Sequence, residues 1–175
     1  MINKVPVLIS ACLLGIRCRY DHNHAISQSL LEHLDQIHPV PVCPEQLGGL
    51  PTPRAPADIK GGDGNDVLKG RGRLITTTGQ DVTDQFLRGA QETLQIAKVA
   101  GTHLAFLKDK SPSCGLNTPH CDKPEGHGIG VTAALLVSKG FHVIELAKES
   151  RFPMEAFLNA VKAAMGLIET KIKGE

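Results

Sequence analysis

An α/β fold, with an open and mostly parallel sheet flanked by helices in a Rossmann-like plan, is what the sequence predicts. Three observations predict it. Short apolar runs alternate with segments whose apolar residues recur at helical spacing. Those runs are continuous rather than alternating, as strands covered on both faces require. Three of them lead into a cysteine followed by a turn-rich segment: Cys12, Cys43 and Cys114. In an open parallel sheet the carboxyl ends of the strands line one crevice, where ligands bind. A chain of 175 residues fits a single domain, here residues 1–175.

Taken in order, the apolar run Val5–Cys12 suits a buried first strand. Leu30, Leu31, Leu34 and Ile37 then recur at helical spacing, Ser29 and Glu32 have the spacing of a capping box, and His38-Pro39 ends the helix. Val40–Cys43 reads as a second strand, although Pro41 sits badly in a strand interior. From Pro44 to Asn65 the chain holds four prolines and five glycines, which predicts a long functional loop after the second strand. Val67–Thr78 reads as a short strand or strand pair with Gly79-Gln80 as its turn. Thr83 or Asp84 is placed to cap a helix carrying Phe86, Ala90, Leu94 and Ala97, which Gly101 stops. His103–Lys108 is the third strand, and a loop runs on to Gly126. A helix over Gly130–Lys139 closes at Gly140, Phe141–Leu146 is the fourth strand, and Phe152-Pro153 opens a last helix with Met154, Phe157, Leu158, Val161, Met165 and Ile168 on its apolar side.

Composition narrows the function. A net charge of +1 offers no field to draw in nucleic acid or a membrane surface. Five Phe, one Tyr and no Trp make a base-stacking platform a poor reading. The start of the chain has no secretory pattern and no apolar run is long enough to span a bilayer, so a cytoplasmic location is expected. Cysteines stay reduced there, and an odd count of five argues against a disulfide framework. Any one of them reads as a small core hydrophobe. Three at strand ends read instead as soft ligands, which select iron–sulfur clusters, zinc or copper(I). No Cys-x-x-Cys pair marks a zinc ribbon. Three ligands leave one position open, the mark of a catalytic rather than a structural metal site.

Cys12-Leu13-Leu14-Gly15, Cys18-Arg19-Tyr20-Asp21 and Pro41-Val42-Cys43-Pro44-Glu45-Gln46-Leu47-Gly48-Gly49-Leu50-Pro51-Thr52-Pro53-Arg54 resemble the DUF523 family, which includes the thiouracil desulfidases. Asp81-Val82-Thr83, the run Leu107–Gly115 with its Ser111-Pro112-Ser113-Cys114-Gly115, and Gly130–Leu136 extend the match over nearly the whole chain. The stretch Leu116–Glu125 departs from the family pattern. The resemblance implies a [4Fe-4S] cluster held by Cys12, Cys43 and Cys114. It implies a non-redox, hydrolytic desulfuration of thiouracil or a similar small thiolated base, with the sulfur on the open iron and leaving as hydrosulfide.

Both the addition of water and the departure of sulfide need proton transfer. Glu45, two residues past Cys43, is the candidate acid/base; its plainer reading is a helix-start carboxylate beside Pro44. Ser111 and Ser113 flank the third ligand, and either hydroxyl is a candidate to bond substrate or water; their plainer reading is turn chemistry around Pro112. Cys18 reads equally as a packed thiol or as a sulfur-handling one, and Cys121 as a stray exposed thiol. Arg17, Arg19 and Arg54 fall in the motif segments, as substrate contacts or surface charges. His22 and His24 read as solvated, and Lys60-Gly61-Gly62-Asp63-Gly64 as a flexible turn rather than a phosphate loop, for want of the Gly-Lys-Ser/Thr ending. Two rival readings stand beside the leading one. The first is action on thiouridine in tRNA. The second is a non-catalytic cluster or zinc protein in which Cys18 or Cys121 closes the fourth position.

Overall fold

The computed structural model describes residues 4–124 and 127–172, with side chains through 163. Four strands form one parallel sheet in the order β2-β1-β5-β6, where β1 is Val5–Ser10, β2 Ile37–Val42, β5 Leu104–Lys108 and β6 His142–Leu146. The order reverses at β1, so the crevice beyond the ends of β1 and β5 is the topological switch point. A second, two-stranded sheet pairs β3 (Ala57–Lys60) antiparallel with β4 (Arg73–Thr76). Among the described residues six α-helices alternate with the strands: α1 Gln28–Leu31, α2 Pro44–Leu47, α3 Gly64–Leu68, α4 Thr83–Val99, α5 Val131–Ser138 and α6 Met154–Ile172. None of the described helices is long and apolar enough to cross a membrane.

The period-2 alternation of a strand divides the core. Leu8 on β1 with Ala105 and Leu107 on β5 faces Phe86, Ala90 and Leu94 of α4 and the wholly buried run Val131–Leu136 of α5. Val7 and Ile9 with Leu104 and Phe106 face the opposite way, onto Leu30 of α1 and Phe157 of α6. Helices therefore cover both faces, as the continuous apolar runs require. The side chains of Met165 and Ile168 lie outside the described residues, and so does the residue Gly126, the expected end of the loop after β5.

Several local expectations are corrected. The first helix does not reach Ile37. It ends after Leu31, a 3-10 turn follows at Leu34–Gln36, and Ile37 opens β2 opposite Val5. Residues before proline favour extended backbone, and His38 precedes Pro39. Pro39 and Pro41 are tolerated because β2 is an edge strand and, two apart, both point their missing N–H to its unpaired side. The capping box at Ser29 is absent: Ser27 is the N-cap residue, and the Ser29 hydroxyl donates to the Ser150 carbonyl instead.

The span Pro44–Asn65 is not one loop. It contains α2, β3 and the start of α3, and Val67 and Leu68 belong to α3 rather than to a strand. Within Lys60–Gly64, Asp63 is a fixed N-cap: its carboxylate accepts from the Asn65 and Asp66 amides while Asp66 accepts from the Asp63 amide. At α4 the N-cap position is Val82 rather than Thr83 or Asp84. Asp81 reaches past it to accept from the Thr83 amide at 2.9 Å. The turn at Gly79-Gln80 and the stops at Gly101 and Gly140 are found as expected.

Candidate functional site

Cys12 lies in the 3-10 turn that follows β1, Cys43 directly after β2, and Cys114 six residues beyond β5. All three line one cavity of about 470 Å³ at the strand ends, within the size range of small-molecule sites. Glu45, Ser111, Arg19, Arg54 and Cys18 line it too; Ser113 and Arg17 do not.

Glu45 arrives on α2, a single turn with Pro44 at its first position. That turn is fixed to α4 backbone against backbone. A Cβ on Gly48 would stand 1.9 Å from the Gln85 carbonyl oxygen, and one on Gly89 1.9 Å from that of Pro44. Only glycine permits this approach, so the base of Glu45 has little room to shift. Its carboxylate is held as well: Arg54 Nε donates to Oε2 at 2.7 Å. Arg54 Nη1 donates to the Cys18 carbonyl at 3.1 Å, to Thr52 Oγ1 at 3.1 Å and to the Pro51 carbonyl at 3.2 Å.

Ser111 Oγ accepts from the Cys114 amide at 3.0 Å and the Ser113 amide at 3.2 Å, which shapes the turn that presents Cys114. A hydroxyl has two acceptor lone pairs and one O–H, so what Ser111 has left to offer the cavity is a proton to donate. Ser113 faces away. It is buried, with its Oγ 2.8 Å from Thr132 Oγ1 at the start of α5.

Three of the thiols, Cys18, Cys43 and Cys114, sit in a setting that disfavours charge. Burial pushes the Cys114 thiol up to about 12. Cys18 is raised to about 11, first by its hydrogen bond to Cys12 and opposed by its contact with Cys43. Cys43 is raised further, first by the Cys18 contact and then by burial. Cys18 is thus buried between Cys12 and Cys43, and its carbonyl accepts from Cys43 Sγ at 3.6 Å. Among the described residues no group of three His, Cys, Asp or Glu could hold a single metal ion. The donor set itself, four thiols on one cavity, suits a thiolate-bound iron–sulfur cluster.

Cys121 is half-buried rather than exposed. It bridges Ile59 of β3 and lines a neighbouring groove with Lys60, Lys110 and Lys123. His22 is exposed as expected, but His24 is half-buried and its Nδ1 has no hydrogen-bond partner. Arg19 pairs with Asp21 at 3.3 Å and lies over the Tyr20 ring, 5.4 Å from its centroid. Tyr20 and the Lys108–Asp109 ion pair are cavity residues that sequence reasoning passed over. Both lie inside the segments that resemble the family, Cys18–Asp21 and Leu107–Gly115, and their position after a strand or a cysteine is the available signal.

The family model described as 2-thiouracil desulfurase matches residues 7–148. "Uncharacterized protein YbbK" of Bacillus subtilis (strain 168) is 45% identical over 141 residues, covering 79% of this chain and 93% of its own. The solved structure of the [4Fe-4S]-dependent thiouracil desulfidase TudS is similar at a TM-score of 0.67 and 36% identity, covering 81% of this chain and 91% of that one.

Proposed function

The chain belongs to the 2-thiouracil desulfurase family, and from that premise we propose that it removes sulfur from thiouracil or a similar small thiolated base by non-redox hydrolysis. Cys12, Cys43 and Cys114 would hold a [4Fe-4S] cluster of the kind named for TudS. The observation that carries this reading is the meeting of the three strand-end thiols with Glu45 in one cavity. When bound, the cluster supplies a Lewis-acidic iron with an open position for the sulfur of the base.

The chain's own groups do the rest. Each ligating thiol must give up its proton, so cluster uptake releases protons. Glu45 takes a proton from the incoming water and returns one to the departing sulfur. Its Oε2 is occupied by Arg54, which leaves Oε1 for this work. Ser111 donates its O–H to the substrate or the water. One water is consumed, hydrosulfide leaves, the thiocarbonyl becomes a carbonyl, and no electrons are exchanged. A net charge of +1 favours a small base over tRNA, whose phosphates would call for a basic surface. Purification without oxygen followed by incubation with thiouracil tests the reading. Hydrosulfide and uracil formed in equal amounts are expected; a zinc-loaded protein that leaves thiouracil intact sinks it.

The position of Cys18 favours a second reading. A thiol buried between Cys12 and Cys43 is placed to complete a four-thiolate site with no open position, as a redox or structural protein requires. Cys18→Ser separates the two. The enzyme reading expects unchanged iron content and turnover, whereas the closed-site reading expects loss of iron.

A further inference from the structure

We propose that Arg54 is the positioning residue of this site: it aims the Glu45 carboxylate and thereby sets turnover rather than substrate affinity. The inference rests on the acid/base role proposed for Glu45. Two restraints act on that carboxylate. The backbone contact of Gly48 and Gly89 fixes α2, and the Nε bond at 2.7 Å fixes the far end of the side chain. Without the second, the carboxylate rotates about its last torsions, and a displacement of about 1 Å is enough to cost a hundredfold in rate.

The other donors of Arg54 explain why it can act as an anchor. Nη1 is shared among the carbonyls of Cys18 and Pro51 and the hydroxyl of Thr52, and the Arg54 amide donates to the Tyr20 carbonyl at 2.9 Å. The guanidinium therefore joins the segment carrying Cys18 and Tyr20, the turn at Pro51-Thr52 and the carboxylate of α2. Nε and Nη1 are committed to the protein, which argues for positioning rather than for substrate contact. Lysine has one nitrogen on a flexible stem and cannot span these acceptors as a planar fork does. Arg54→Lys keeps the charge and loses the aim.

A double-mutant cycle of Arg54→Lys and Glu45→Gln tests this, with kcat per cluster, KM, iron and sulfide content, and melting temperature measured for all four proteins. Arg54→Lys is expected to load iron normally, to lose about tenfold to hundredfold in kcat, and to keep KM within about threefold. In the Glu45→Gln background the same change is expected to cost no more than about twofold, because the group it aims is already disabled. Equal fold-losses in both backgrounds, or undiminished kcat in Arg54→Lys, overturn the inference. Full kcat in Glu45→Gln instead overturns the acid/base reading beneath it. If Arg54→Lys loads less iron, the cycle is decided on the per-cluster kcat of Arg54→Gln by the same criterion.

Discussion

Two arginine–carboxylate pairs in this molecule have nearly the same contact distance and opposite surroundings. Arg54 meets Glu45 at 2.7 Å with side chains 6% and 18% exposed, on the wall of the thiol-lined cavity. Arg73 meets Asp81 at 2.9 Å with side chains 72% and 40% exposed, at the junction of β4 and α4. An exposed pair is screened by water and contributes little by itself. Asp81 matters for a different reason: it accepts from the Thr83 amide and hydroxyl and so serves the helix start. The buried pair has few waters to exchange with, so its geometry is kept, and geometry is what proton transfer needs. The same two functional groups thus serve a site in one region and a cap in the other.

The largest expected effect removes what the buried pair serves. Cys43→Ala takes away a proposed cluster ligand two residues from Glu45, and iron content of protein purified without oxygen is expected to fall to near zero. Next, Glu45→Gln keeps the carbon skeleton and the contact with Arg54 but cannot accept a proton. It is expected to retain iron and to lose about 10²-fold or more in kcat. A fall in iron of similar size would mean that Glu45 is structural, like Asp81.

The parallel sheet was readable from sequence because its strands are buried on both faces and so leave continuous apolar runs such as Val7–Ile9 and Leu104–Leu107. The gathering of Cys12, Cys43 and Cys114 on one cavity followed from their strand-end positions. The span from Pro44 to Leu68 was not readable in the same way. Its one-turn α2 is held by a tertiary backbone contact between Gly48 and Gly89, which leaves no local periodicity. Ser111 and Ser113 were equivalent in sequence. Only the packing of α5 separates them, by placing Thr132 against Ser113.

That separation gives a smaller expected effect. Ser113→Ala leaves a buried Thr132 hydroxyl without its partner, at a cost of about 1–3 kcal/mol. A fall of several degrees in melting temperature is expected, with kcat per cluster retained, whereas Ser111→Ala is expected to lower kcat. The reverse pattern would assign the hydrogen bond to substrate to Ser113.

The smallest effect belongs to the exposed pair. The hydrogen bonds from the Thr83 hydroxyl and amide, with Arg73, hold the Asp81 carboxyl down to about 2. A carboxyl lowered on folding adds stability that is full above its unfolded value of about 3.9 and is lost as pH falls through the folded one. Asp81→Asn is therefore expected to cost about 1 kcal/mol or less at neutral pH and to converge on the parent below about pH 2. Denaturation curves across that range check it. A pH-independent difference would mean that the cap works without its charge.

The most direct measurement is the iron and acid-labile sulfide content of the protein and its single cysteine variants, all purified without oxygen. About four irons and about four sulfides per chain are expected for the parent and for Cys18→Ser, with near none for Cys12→Ser, Cys43→Ser and Cys114→Ser. Loss of iron in Cys18→Ser as complete as in the other three, or a single zinc in the parent, would contradict an open three-thiolate cluster site.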